Sequence, residues 1–319
     1  MTHKEKFIKA LKRESIVGHV PHFELVFYLT AESLGRVHPQ QRSFGQWGQM
    51  SLSEKKWHID DIADLHIKVA EKYDHSAIFI HHPFNDMETI GELLRTIKEK
   101  SNDEYFLMMH ADPTFSMPDG YNMIDFTAQM YEEPERLKEI AKNNMEGSSE
   151  HIRYFADKKL LDGATLCSDY CFNVNPFFTP ELFDAFIHPY LKEIIKRYRE
   201  MGLYTIKHTD GNIMPILDQL ADCEPDALHS LDPQGGVSLK EVKKLYGDKL
   251  CLIGNVNCGL LQTGTEEECT KDIRRSLTDG MEGNSGGYIF STSNCVYTGL
   301  QLERYELMHR IWKAEGIYK

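Results

Sequence analysis

The chain has 319 residues, 41% hydrophobic and 27% charged, the balance of a globular protein with a sizeable core. Disorder, coiled coil and collagen are therefore excluded as overall classes. Against 49 Asp and Glu stand 36 Lys and Arg, a net charge of −13, which argues against nucleic acid and anionic membranes as partners.

In chain order, the first element is a helix over residues 2–14, amphipathic and unlike the apolar core of a signal peptide. Short β-branched or aromatic runs then alternate with longer stretches of helical spacing. Strands are predicted over 21–28, 77–80, 105–109, 163–167, 203–207, 226–229, 250–254 and 287–290. Helices are predicted between and after them, over 60–72, 89–100, 134–158, 179–201, 213–220, 239–245, 266–278 and 300–314. Several carry their own start signals. Thr179-Pro180-Glu181 sets a capping hydroxyl before a first-turn proline. Thr265 with Glu268, and Ser238 with Glu241, have capping-box spacing. The 29–56 stretch, with Gly35, Pro39, Gly45 and Gly48, reads as a long ordered excursion over one end of the fold. No apolar stretch approaches the ~20 residues that span a bilayer.

Eight strands alternating with helices point to a parallel sheet covered on both faces. Closed on itself, it is an α/β fold of the (β/α)8 TIM-barrel class with an N-terminal helical extension. An open doubly wound sheet usually has a glycine-rich first turn, and neither G-x-G-x-x-G nor a P-loop occurs. Without a Pro/Gly/Ser-rich linker, residues 1–319 read as one domain. The seven cysteines are odd in number and lack a dense framework of short spacings, so a reduced, cytoplasmic compartment is expected.

In such a barrel the chemistry sits where strands run out into loops. Those positions are rich in His, Asp, Asn and Cys: His110 after the third strand, Asp169-Tyr170 after the fourth, His208-Thr209-Asp210 at the fifth, Asp232 after the sixth, Asn255 after the seventh and Cys295 after the last. His208 and Asp210, two apart on a strand end, can point the same way into the mouth. Cys295 faces that mouth too, and imidazole, carboxylate and thiolate are all zinc ligands, of which a catalytic site needs three. The bland alternative makes Asp210 a helix cap, His208 a satisfied rim residue and Cys295 a small buried hydrophobe. Asp169 and Tyr170 have the chemistry to orient a substrate or move a proton. His110, Asp232 and Asn255 are taken as substrate-binding. The adjacent His81 and His82 face opposite sides and do not make one metal site.

These residues also carry a resemblance. Phe7-Ile8-Lys9-Ala10-Leu11 before Val20-Pro21, Ser168-Asp169-Tyr170, Phe178-Thr179-Pro180-Glu181, His208-Thr209-Asp210-Gly211-Asn212, Asp232-Pro233 and Ile253-Gly254-Asn255-Val256 resemble the uroporphyrinogen decarboxylase superfamily, which includes corrinoid-linked methyltransferases. The resemblance implies a (β/α)8 barrel, in accord with the alternation of elements, and a homodimer as a family-level expectation. True decarboxylases of this family resemble one another in an Arg-Gln-Ala-Gly-Arg-Tyr stretch that grips substrate carboxylates; residues 35–42 here do not match it. The methyltransferase members bind zinc through His-x-Cys and a distant Cys. His208 and Cys295 fit that pattern, while Asp210 replaces the first Cys and makes a harder, less thiolate-rich site. The resemblance thus implies a zinc-dependent methyltransferase working with methylcobalamin on a partner corrinoid protein and a small thiol or methylated substrate, with metal ligands His208, Asp210 and Cys295. The alternatives are a metal-independent decarboxylase or lyase, and a non-catalytic binding protein on a retained barrel.

Overall fold

The computed structural model describes residues 1–283 and 285–318. Its strands, in chain order, are β1 (Gly18–His19), β2 (Ala77–Phe79), β3 (Phe106–His110), β4 (Gly163–Leu166), β5 (Tyr204–His208), β6 (Ala227–His229), β7 (Cys251–Ile253), β8 (Tyr288–Ile289) and β9 (Ile317–Tyr318). β2 to β8 form one parallel sheet in sequence order. All seven are buried apart from the two end residues Tyr204 and His110, as continuous apolar strands covered on both faces should be.

The predicted first strand, 21–28, is not a regular ladder. It meets both edges of the sheet through isolated bridges, His22 to His75 beside β2 and His22 to Phe290 beside β8. The Ser76 amide donates to the His22 carbonyl at 2.7 Å, and the Phe290 amide to that of Pro21 at 2.9 Å. These bonds complete the circuit of an α/β barrel. The short strands β1 and β9 pair antiparallel and tie the two ends of the chain together outside it.

Helix starts follow the local chemistry. Thr2 with Glu5 and Thr265 with Glu268 form full capping boxes, whereas Ser238 supplies only the hydroxyl half toward Glu241. The helix expected from residue 60 begins earlier, as Leu52–Tyr73, because Ser51 and Glu54 make a capping box that shortens the excursion. The span 179–201 divides into Pro180–Phe186 and His188–Glu200, since Pro189 has no amide hydrogen to continue the first helix. Two further helices, Met123–Glu132 and Cys258–Thr263, lie in stretches with no clear apolar period. No helix among the described residues is long and apolar enough to cross a membrane.

Candidate metal centre at the barrel mouth

Alternation at the end of β5 and into the residues that follow it sorts the side chains. Lys207 and Thr209 point away from the barrel axis, and His208 and Asp210 point into the mouth. The outward pair is structural. The Lys207 ammonium is fully buried, 2.8 Å from Asp112 Oδ2 and 2.8 Å from the Ser168 carbonyl, and sits 4.1 Å over the Tyr170 ring. Asp112 also accepts from the Ser168 amide at 2.9 Å, and Thr209 Oγ1 accepts from the Tyr170 amide at 3.0 Å. Burial alone would raise the Asp112 carboxyl, but the Lys207 charge and these bonds hold it below the usual carboxylate range. The loops after β3 and β4 are thereby pinned to β5.

The inward pair meets Asp169. One ligand atom from each of Asp169, His208 and Asp210 lies within 4.8 Å of the other two. His208 Nε2 is 3.7 Å from Asp210 Oδ1 and 3.9 Å from Asp169 Oδ1. The Asp210 amide donates to Asp169 Oδ1 at 3.0 Å, so backbone and side chain of one residue face the same neighbour. The Ser230 hydroxyl stands 2.7 Å from Asp210 Oδ1, and the Asn294 amide donates to Asp210 Oδ2. Gly211 lets the β5 loop turn back: its φ is 78°, and a Cβ there would lie 2.6 Å from the carbonyl oxygens of Cys171 and Phe172.

The site is short of positive charge. Burial pushes the Asp210 carboxyl up to about 6; Asp169 and Asp232 push the same way, against the pull of His208 and Ser230. Lys207, the adjacent cation in sequence, is committed to Asp112. Two carboxylates and an imidazole converging without a cation form a donor set that suits a divalent metal, with oxygen-rich character and room for further ligands.

The other sequence-predicted residues are placed as follows. Cys295 is partly exposed beyond the three-residue group; burial and the nearby Asp210 charge raise its thiol. Asp169, expected from sequence to orient a substrate or move a proton, lies with His208 and Asp210. His110 is exposed at the end of β3; burial of part of its ring, then the Lys207 and His208 charges, lowers its basicity against the pull of Asp112. Asp232 is buried at the rim, its Oδ1 accepting from the Gln234 amide at 2.9 Å.

Tyr170 and Asn255 do not reach the mouth. Tyr170 is wholly buried, with its hydroxyl 2.6 Å from Thr114 Oγ1. Asn255 is wholly buried too: its amide nitrogen donates to the Leu231 carbonyl at 2.6 Å, and its oxygen accepts from Arg275 at 2.9 Å. Both clamp loops together, because the paths of the loops after β4 and β7 bury these side chains away from the mouth.

Sequence reasoning missed His229. Its Nδ1 lies 2.7 Å from His208 Nδ1, and burial, then the His208 charge, lowers it well below the usual imidazole range. The signal was the register: in the parallel ladder His229 stands directly beside His208.

The family model described as uroporphyrinogen decarboxylase (URO-D) matches residues 56–314. No curated protein matches significantly. Among solved structures, a methyltransferase from Methanosarcina mazei superposes with a TM-score of 0.72 at 16% identity, covering 99% of this chain and 99% of that one. A GH5_18 protein from Bifidobacterium longum subsp. infantis gives 0.50 at 10% identity, covering 95% of this chain and 80% of its own. A β-mannanase from the blue mussel Mytilus edulis gives 0.48 at 8% identity, over 94% and 96% of the two chains. At these identities the likeness is one of fold.

Proposed function

Because the chain belongs to the uroporphyrinogen decarboxylase family, we propose that its barrel mouth is the active site of a metal-dependent methyltransferase. In this reading a methyl group passes between a corrinoid protein and a small thiol or methylated substrate. The observation that carries it is the convergence of Asp169, His208 and Asp210 within 4.8 Å. The fold likeness to a methyltransferase supports the branch of the family. Decarboxylation of a porphyrinogen bearing eight carboxylates fits poorly, since the groups bearing on Asp210 include two further acids and His208 as the sole base.

Asp169, His208 and Asp210 would hold the ion, Zn²⁺ in the first instance, with Cys295 beside them. Such an ion supplies Lewis acidity, which lowers the pKa of a thiol or polarises the heteroatom of a methyl donor. The protein's own groups do the rest. His110, exposed on the rim, takes the proton released by the acceptor thiol. The partner's corrinoid would supply the methyl group and keep the bonding electron pair, leaving the methyl on the acceptor sulfur. Asp232 lines the rim, and the Lys207–Asp112 pair keeps the two supporting loops in place.

Elemental analysis of the wild type and His208→Ala, with a methylcobalamin:thiol assay on the same samples, tests this reading. About one metal ion per wild-type chain, lost in the variant together with turnover, is expected. Near-zero metal in both, or turnover that survives strong chelators, would overturn it.

A further inference from the structure

We infer that the end of β6, His229 with Ser230, is a positioning shelf that presents the two β5 ligands to the metal. The inference rests on the reading of Asp169, His208 and Asp210 as ligands. His229, the last residue of β6, and Ser230, which follows it, each reach one side chain at the end of β5: His229 Nδ1 is 2.7 Å from His208 Nδ1, and Ser230 Oγ is 2.7 Å from Asp210 Oδ1, two residues past the strand.

Besides His208, the polar group that bears on the His229 ring is the backbone of Thr292. Its ring is fully buried, Phe23 packs against it with ring centroids 6.1 Å apart, and its Nε2 has no hydrogen-bond partner among the described residues. A buried imidazole with one nitrogen unsatisfied is costly unless the other nitrogen serves a purpose. That purpose is orientation. A bond at His208 Nδ1 fixes the ring plane and leaves Nε2 facing Asp169 and Asp210 at 3.9 and 3.7 Å.

Only one of the two facing Nδ1 atoms can carry the hydrogen between them. If His208 donates, its Nε2 keeps a free lone pair for the metal, and His229 carries its own hydrogen on Nε2. Ligating histidines commonly donate their second nitrogen to a carboxylate or carbonyl. Here the acceptor is a neutral imidazole, which orients the ligand without adding a further negative charge to a site that already gathers three acids.

The backbone agrees. Ser230 and Leu231 have φ of 87° and 50°, a left-handed stretch disfavoured for residues with a side chain. Such strain persists where the surroundings demand it, and here it sets the Ser230 hydroxyl between Asp210 Oδ1 at 2.7 Å and the Ser293 carbonyl at 2.6 Å, two acceptors that share its one hydrogen.

Zinc affinity measured by competition with a chromophoric chelator, on the full-length wild type, His229→Phe, His229→Asn and Ser230→Ala, tests the shelf. His229→Phe is expected to weaken zinc binding about 10–100-fold. His229→Asn should recover affinity to within a few-fold of wild type, because its side-chain oxygen sits near the lost Nδ1 and accepts the same hydrogen. Ser230→Ala should cost several-fold. A second readout needs no metal: nitrogen NMR of the imidazoles should find His208 protonated on Nδ1 in the wild type and its tautomers mixed in His229→Phe. Zinc binding equal in wild type and His229→Phe overturns the shelf and leaves the metal site standing. So does failure of Asn to do better than Phe, since packing alone would then explain the loss. A wild type that binds no zinc removes the ligand reading itself, and the shelf with it.

Discussion

Buried histidines gather in several places among the described residues, and two of these regions do different work. At the mouth, His208 stands among Asp169 and Asp210. Behind the opening segment, under the helix Leu302–Glu315, His22, His75 and His309 pack with Tyr305 and Trp312. There His22 Nδ1 meets the Phe290 carbonyl at 3.0 Å, and the Tyr305 hydroxyl bridges His22 at 3.2 Å and His75 at 3.0 Å. The acid in this layer, Glu24, is pushed up to about 8 by burial, against hydrogen bonds from Thr292 and Ser291. Burial likewise takes His22 down to about 3, so this layer buries its groups neutral. Imidazoles in the interior are thus no sign of chemistry by themselves. What separates the two regions is the gathering of like charges at the mouth, which fold stability alone would avoid.

The largest expected effect tests that separation directly. His208→Ala should lower methyl transfer per folded molecule by about 10³-fold or more, since a lost Lewis acid costs several kcal/mol of barrier, beyond the lower melting temperature expected from the loss of the His229 partner. His75→Phe should do the opposite. Removing one of the two partners of the Tyr305 hydroxyl costs about 1 kcal/mol, read as a lower melting temperature with turnover per folded molecule unchanged. Equal losses of activity in both variants would show that the two regions are not functionally distinct.

Much of this contrast was legible in the sequence. The two-residue spacing of His208 and Asp210 on a strand end dictates a shared direction, because strand side chains alternate. The barrel itself follows from the run of buried strands between capped helices. Loop residues were harder. Asp169, Tyr170, Asn255 and Cys295 all follow strand ends, yet only the folded loop path decides which of them turns inward. The role of His229 needed the register of β5 against β6, which no single strand encodes. The early start of the helix Leu52–Tyr73 was written in Ser51 and Glu54, a capping box overlooked inside an irregular stretch.

The next effect sharpens where the mouth ends and its scaffold begins. Lys207→Met leaves the Asp112 carboxylate buried without its counter-charge, which costs about 3–5 kcal/mol. Denaturant unfolding should show that loss, and Lys207→Met combined with Asp112→Asn should recover most of it. If the single variant keeps full stability, the pair does not hold the loops after β3 and β4, and the mouth must owe its shape to other contacts.

The smallest effect separates the acid of the histidine layer from its bases by pH. His22 has a folded pKa of about 3, below the unfolded value of ~6.5. Its contribution to stability is complete above ~6.5 and is lost as pH falls toward the folded value. Glu24 runs the other way. Its folded pKa of about 8 lies above the ordinary value of 4.5, so its contribution is complete below 4.5 and is lost as pH rises through about 8. Glu24→Gln keeps the acceptor for Ser291 and Thr292 but cannot ionise. The variant should therefore exceed the wild type in stability by about 1–3 kcal/mol near pH 8, and this advantage should shrink steadily as the pH is lowered toward 4.5. His22→Phe should show a deficit that is largest above pH 6.5 and narrows in acid. Melting curves of the three proteins between pH 5 and 8 read both slopes. A pH-independent difference for Glu24→Gln would mean that Glu24 is already ionised in the folded protein, and the layer would then need a cation of its own, which would erase the distinction from the mouth.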